Sequence, residues 1–307
     1  MAYLTVPRLN KILRKSLTIT GLADNSLRFL QKRYERLNSE YLMLHGMRVH
    51  YTDEGQGPVL ILLHGFMASL HTWDGWVTAL RPHYRILCID LPGFGLTGEH
   101  PQHRYHPFDY VRFLDDFRRQ LGISRFHLAG NSLGGAIAWC YAQQFPERVE
   151  KLVLLNPAGY QQSISGMLRL VINPVAMKLL QRTLPRFVIT MGLREVYGNP
   201  ARIRSGTDRR YHDLMLRPGN RLAITKVAQM LADLNATGQL EKEIPHLKVP
   251  TLLMWGALDR WIPASLAYRW QADVPHIQIK IYEGVGHVPM EEIPETSALD
   301  AHRFLSG

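Results

Sequence analysis

Residues 129 to 136 read Ala-Gly-Asn-Ser-Leu-Gly-Gly-Ala, with Ser132 set between Gly130 and Gly134. A Gly-x-Ser-x-Gly run between a strand and a helix is the sequence form of a sharp turn that lifts a hydroxyl clear of the backbone. Here it follows Arg125 to Leu128, which reads as a strand, and leads into Leu133 to Phe145, which reads as a helix. A β-carbon at 130 or 134 would meet the neighbouring strand or helix, so the turn calls for glycine at both. The helix N-terminus directs partial positive charge at developing negative charge. The chemistry open to such a serine is nucleophilic attack, for which its hydroxyl needs a base.

The chain has 14 histidines. His287 ends the run Glu283-Gly284-Val285-Gly286-His287, directly after an apolar run at 277–282, and so belongs at the same sheet edge as Ser132. It is the expected base. His64 also follows a strand-like run and opens His64-Gly65-Phe66, where His64 and Gly65 are expected to support a loop. His83, His100, His103, His106, His246, His276 and His302 fall in loops or on polar helical faces and are expected to face solvent. A histidine base needs a carboxylate to hold its tautomer. Leu252 to Asp259 runs strand, turn, carboxylate, so Asp259 is the expected acid. Asp90 also follows a strand, but it opens Asp90-Leu91-Pro92-Gly93-Phe94-Gly95, where a carboxylate fixes a turn by accepting backbone N–H bonds. Asn156, in the equivalent position after Leu155, cannot act as an acid.

The elements that must position these residues follow from the apolar runs. Tyr41 to Leu44, His45-Gly46 and Met47 to Thr52 read as a hairpin. Short apolar runs at 58–63, 85–89, 126–129, 152–155, 251–255 and 277–282 read as buried strands. Amphipathic segments at 72–80, 108–121, 133–145 and 264–272 read as helices between them. Strands alternating with helices predict βαβ units and a mostly parallel sheet. From about Ala158 to Leu240 no strand appears, and helical stretches such as Gly166 to Leu184 are broken at Pro174 and Pro185. Such a length is too great for a loop and reads as a helical insertion over the end of the sheet.

The order Ser132, Asp259, His287, with His-Gly after an early strand, resembles the serine esterase and lipase-like branch of the α/β-hydrolase superfamily over roughly residues 40–305. The resemblance implies an eight-stranded, mostly parallel sheet flanked by helices, with a helical cap inserted after the sixth strand. It implies an oxyanion hole from the backbone N–H groups of Phe66 and Leu133. The domain division expected is a basic N-terminal helical segment at 1–38, a core at 39–157 and 241–307, and a cap or lid at 158–240. Serine at the elbow excludes the haloalkane dehalogenases and epoxide hydrolases, which use aspartate there. Gly65 to Leu70, followed by Trp73, looks more like small lipases than like the glycine- and proline-rich loop of carbon–carbon bond hydrolases. The expected function is therefore cleavage of carboxylic esters of medium acyl chains through an acyl-enzyme. A carbon–carbon hydrolase, a thioesterase or a perhydrolase is the alternative. A ligand-binding module without turnover is the reading from another class, and an intact trio argues against it.

Composition sets the remaining bounds. The chain has 307 residues, 46% of them hydrophobic and 20% charged, which is globular composition. No run approaches the roughly 18 apolar residues of a membrane-spanning helix. Two cysteines, Cys88 and Cys140, form no disulfide framework indicating export and read as buried thiols. The formal charge of +10 is uneven: residues 1–46 hold 8 Lys/Arg against 3 Asp/Glu, and residues 158–240 hold 12 against 4. Leu9, Ile12, Leu13 and Leu17 share a helical face among Arg8, Lys11, Arg14 and Lys15, and Leu27, Leu30, Tyr34 and Leu37 mark a second helix. A basic amphipathic N-terminus with a basic, apolar cap fits peripheral contact with an anionic membrane, or packing on its own domain. The expected partners are a small apolar ester and such a membrane surface, with no nucleic acid, since no nucleic-acid motif accompanies the charge. No cofactor or metal is expected: there is no H-E-x-x-H, paired-cysteine site or phosphate-binding G-x-x-x-x-G-K-[ST]. The expected location is cytoplasmic, with peripheral membrane association.

Overall fold

The structure, a computed structural model, describes residues 20–164, 166, 169 and 173–307. The first amphipathic segment, with Leu9, Ile12, Leu13 and Leu17, and the cap residues Met167, Leu168, Leu170, Val171 and Ile172 lie outside the described residues.

The hairpin forms as β1 (Ser39–Leu44) and β2 (Met47–Glu54). Its two turn residues, His45 and Gly46, both have positive φ, 51° and 76°, the geometry that matches strand twist in a two-residue hairpin. The apolar runs become β3 (Val59–Leu63), β4 (Arg85–Ile89), β5 (Phe126–Asn131), β6 (Val149–Leu155), β7 (Thr251–Gly256) and β8 (Gln278–Tyr282). They form one eight-stranded sheet of order β1-β2-β4-β3-β5-β6-β7-β8. β2 is antiparallel to both neighbours, and every pairing from β4 to β8 is parallel. β3, β5 and β7 are almost wholly buried, as continuous apolar strands in a covered parallel sheet must be.

Helices α1 (Leu27–Tyr34), α2 (Asp74–Leu80), α3 (Pro107–Gln120) and α4 (Leu133–Gln144) precede β6. A helical insertion follows it: α5 (Pro174–Arg182), α6 (Arg186–Val196), α7 (Thr207–Met215) and α8 (Asn220–Thr237). The two expected breaks are helix starts. Pro174 is the first residue of α5, where its missing N–H costs nothing, and Pro185 stands just before α6. Helices α9 (Leu266–Asp273) and α10 (Pro294–Ser306) complete the chain. Cys88 and Cys140 are free and buried.

α1 packs on its own chain. Leu30 and Tyr34 are buried against Leu96 and Leu214, and the Tyr34 hydroxyl donates to Asp213 at 2.7 Å. Leu37 lies beyond the end of the helix and is fully exposed, because the backbone leaves helical geometry at Glu35. His71, in the single helical turn Leu70–Trp73, donates through Nε2 to the Tyr34 carbonyl at 2.8 Å and accepts at Nδ1 from Ser69 at 3.1 Å. The second bond needs the neutral ring, since a protonated Nδ1 could not accept.

Burial, with the charge of Arg210 next in size, lowers the His71 pKa to about 3. An unfolded histidine titrates near 6.5, so between these values the unfolded chain holds the extra proton and stability is lost as pH falls. His64 and His212 are shifted the same way by burial and add to that slope. Replacing His71 by Gln should reduce the slope of unfolding free energy against pH, between pH 6 and 4, by about 1.4 kcal/mol per pH unit. Urea denaturation of both proteins across that range measures it; an unchanged slope would place the titration elsewhere.

Candidate active site

The parallel strands end together. Leu63 pairs with Gly130, Asn131 with Leu155, Leu155 with Met254 and Gly256 with Tyr282. His64, Ser132, Asn156, Asp259 and His287 follow these ends, at the edge where open α/β sheets place ligands.

Ser132 has φ 55° and ψ −115°, a conformation that costs a non-glycine residue about 1–3 kcal/mol. Its N–H donates to the Leu155 carbonyl at 3.0 Å, and its carbonyl accepts from Ala136 and Ala158. The glycines permit the crossing. A β-carbon on Gly130 would lie 2.2 Å from the Gly134 carbonyl oxygen, and one on Gly134 would lie 2.3 Å from that of Leu63. On Gly65 it would meet the Asn131 side chain at 2.9 Å and the Ser132 β-carbon at 3.2 Å.

His287 and Asp259 meet directly, Nδ1 to Oδ2 at 2.7 Å, both buried. A carboxylate only accepts, so the imidazole proton sits on Nδ1 and Nε2 presents a lone pair. That Nε2 is buried and has no hydrogen-bond partner among the described residues. The Asp259 carboxylate accepts three more bonds: Trp261 and Ile262 N–H on Oδ1, at 2.8 and 3.0 Å, and the Asn156 amide on Oδ2 at 2.7 Å.

Each remaining expected site residue has a place. His64 is fully buried; its Nδ1 donates to the Gly65 carbonyl at 2.8 Å and its Nε2 accepts from Leu91 N–H at 3.0 Å. Gly65 C=O and Phe66 N–H belong to one peptide plane, so this bond fixes the direction of the Phe66 amide. Neither Phe66 N–H nor Leu133 N–H donates to any group among the described residues. Asp90 takes the turn-fixing role: it accepts from Leu70 and Leu96 N–H, each at 2.8 Å, and from His50 Nδ1 at 2.7 Å. Burial alone would raise its pKa, but the His50 bond and the nearby imidazoles hold it well below the usual carboxylate range. One expectation fails: His100 is buried, its Nδ1 accepting from Gln102 N–H, because the loop after β4 folds back over it.

Three residues that hold the site were given no supporting role from sequence, Asn156 having been noted only as unable to act as the acid. Asn131 donates to the carbonyls of Leu155 and His287, at 3.1 and 3.0 Å, tying two strand ends together. Asn156, with φ 46°, holds Asp259 in place of acting as an acid. Glu292 is buried and accepts from the N–H groups of Gly286, Gly198 and Asn199 at 2.8–3.0 Å, with Arg202 beside it at 3.1 Å. The N–H of His287 itself donates to the Val196 carbonyl at 2.7 Å. The end of α6 is thus fastened to the His287 loop. Asn131 and Asn156 stand beside strand ends and could be suspected there; Glu292 carries no sequence signal.

Two narrow cavities of about 70 and 80 Å³ meet at Ser132, Phe66 and Trp261. The first runs under α6, past Val188, Ile189, Leu193 and Val196, and includes His287; the second runs under α8, past Leu231 and Leu234. Among the described residues, neither is lined by a lysine or an arginine. A more open cleft of about 840 Å³, between α1 and the start of α7, contains none of Ser132, Asp259 and His287.

A family model described as the alpha/beta hydrolase fold matches residues 58–190. A 2-hydroxy-6-oxo-6-phenylhexa-2,4-dienoate hydrolase of Burkholderia cepacia is 26% identical over 260 residues, 80% of this chain and 86% of its own length. The monoacylglycerol lipase abhd6-B of Xenopus laevis is 26% identical over 265 residues, 82% of this chain and 76% of its own. The crystal structure of a membrane phospholipase A, a bacterial virulence factor, superposes with a TM-score of 0.71 at 27% identity, covering 97% of this chain and 91% of that one.

Glu292→Gln keeps the shape of the side chain but puts a donor among donors. It should destabilise the fold by about 1–3 kcal/mol, the cost of leaving a buried polar group without its hydrogen-bond partner. Chemical denaturation checks it; a loss below about 1 kcal/mol would mean that the fastening between α6 and the His287 loop contributes little.

Proposed function

We propose that this chain, which belongs to the α/β-hydrolase superfamily, cleaves uncharged carboxylic esters by way of an acyl-enzyme on Ser132. The observation that carries this reading is the His287 ring, held through Nδ1 by a buried Asp259, with its Nε2 unpartnered among the described residues and the ring lining the same cavity as Ser132. In the reaction Ser132 Oγ attacks the acyl carbon as its proton passes to His287 Nε2. The carbonyl oxygen becomes an oxyanion held by Phe66 N–H and Leu133 N–H, a pair of which each donor is worth about 10²–10³ in rate. The C–O bond then breaks and the leaving alkoxide takes the proton from Nε2. Water, deprotonated by the same nitrogen, attacks the acyl carbon, and the serine leaves with that proton as the carboxylic acid departs. Asp259 stabilises the imidazolium formed in both halves.

The apolar cavity walls favour medium acyl chains, as in a carboxylesterase or lipase. Ester hydrolysis is preferred to carbon–carbon cleavage on a charge argument. The Burkholderia cepacia relative is named for a dienoate, an anion, whereas among the described residues no lysine or arginine lines either cavity here to receive a carboxylate. A thioesterase or perhydrolase would use the same apparatus. In this reading residues 39–157 and 241–307 are the catalytic core, 158–240 the cap, and 1–38 an N-terminal segment. Peripheral contact with an anionic membrane fits the basic cap and N-terminus.

The p-nitrophenyl esters of graded chain length should give a burst of one p-nitrophenol per enzyme chain, followed by turnover that is fastest for medium acyl lengths. Ser132→Ala should abolish the burst and lower turnover by ~10⁴-fold. A burst that survives the substitution overturns the assignment; feeble ester turnover beside rapid cleavage of a dienoate would select the carbon–carbon reaction.

A further inference from the structure

The helix that roofs the cavity is apolar on both faces. Val188, Ile189, Gly192, Leu193 and Val196 of α6 line the catalytic cavity. Phe187 and Met191 of the same helix are each more than half exposed, as are Val175 and Leu179 of the adjoining α5. A surface helix in water turns a polar face outward, so this face is built for another medium.

The charge around it is mostly positive, with Glu195 at the end of α6 and Asp208 beside Arg186 as the acids nearby. From Ala158 to Arg194 the sequence contains Arg169, Lys178, Arg182, Arg186 and Arg194 and no aspartate or glutamate. Arg186 pairs with Asp208 at 2.7 Å, while Lys178, Arg182 and Arg194 are exposed and unpaired among the described residues. The N-terminal part of the chain arrives at the same place: the Thr20 carbonyl accepts from the Thr183 hydroxyl at 2.9 Å, and the Gly21 carbonyl from Leu184 N–H at 3.3 Å, at the α5–α6 junction.

We infer that the outer face of α5 and α6 docks on an anionic lipid surface, so that the roof of the cavity lies against the membrane from which an apolar ester enters. The proposal rests on the ester-hydrolase reading for the substrate but not for the docking itself. Charge complementarity selects the occupant. Residues 8–15 carry Arg8, Lys11, Arg14 and Lys15, and a second copy would present the same cationic rim, so either would bring like charge to like. An anionic bilayer meets both the apolar side chains and the cations. Among the described residues no helix is long and apolar enough to cross a membrane, so the contact is with the surface.

Flotation with vesicles of phosphatidylcholine, with and without phosphatidylglycerol, tests this on the full chain. The protein should float with the anionic vesicles only, and high salt should release it. Phe187→Glu with Met191→Glu should lower partitioning by about tenfold or more. Lys178→Ala and Arg182→Ala should each lower it by about fivefold. All four residues lie outside the cavity walls, so hydrolysis of a water-soluble short-chain ester should persist and report a folded protein. Ser132→Ala should float like the parent, which separates docking from catalysis. Four results would overturn the proposal: no flotation of the parent, equal flotation of the Phe187/Met191 double variant, flotation that appears only after deleting residues 1–19, or a dimer in solution that the double variant breaks up.

Discussion

Everything at this site depends on the close crossing of one helix over two strand ends. α4 can begin where it does only because nothing projects from Gly130 or Gly134, where a β-carbon would fall 2.2–2.3 Å from a backbone oxygen. That contact forces the chain to reverse within a single residue, and Ser132 takes the strained φ of 55°. Strain of about 1–3 kcal/mol persists only where the surroundings over-determine it. Here they do, through Ser132 N–H on Leu155, its carbonyl on Ala136 and Ala158, and Gly65 against its β-carbon. The same reversal leaves Leu133 N–H at the head of the helix, free of an intrahelical acceptor. One steric fact thus produces both the raised hydroxyl and one of the two proposed oxyanion donors.

A second set of constraints determines how the imidazole is held. Asp259 accepts four hydrogen bonds, so its carboxylate cannot rotate away from the ring. Asn131 holds the His287 carbonyl, and Val196 receives its N–H. Glu292 then bonds both Gly286 and the turn at 198–199, which makes the C-terminal end of α6 part of the same rigid body as the histidine loop. Motion of the insertion that left the histidine in place would have to occur at its other end, around α5 and the start of α6. Those are the elements whose outer faces are apolar and exposed.

The architecture was legible because its signals are local. Continuous apolar runs marked the strands, Pro174 and Pro185 marked breaks between helices, and glycines about one serine marked the elbow. Asp259 and His287 were legible because each follows a strand within a few residues and the topology brings strand ends to one edge. The loop around His100 was not: nothing in Glu99-His100-Pro101 states that the chain folds back and buries the ring. Leu37 continued a helical period that the backbone had already abandoned at Glu35. Glu292 was invisible for a different reason. Its role is to collect N–H groups from residues 198, 199 and 286, and such a convergence exists only after the insertion has docked. Sequence periodicity reports what one element wants; it carries no term for what two distant elements require of a third.

The insertion brings these constraints together. A helix whose inner face lines an apolar cavity would ordinarily be stabilised by a polar outer face. α6 forgoes this, with Phe187 and Met191 outward while Val188, Ile189 and Leu193 face in. Its C-terminal end is pinned to the histidine loop, so the helix cannot roll to bury both faces at once. Water is therefore a poor solvent for one side of it in any arrangement that keeps the imidazole in place. On the docking proposal, a negatively charged lipid boundary satisfies together the pinned end, the apolar cavity and the cations left unpaired among the described residues. An enzyme held there would meet its apolar substrate at the concentration of the bilayer, not at that of the surrounding water.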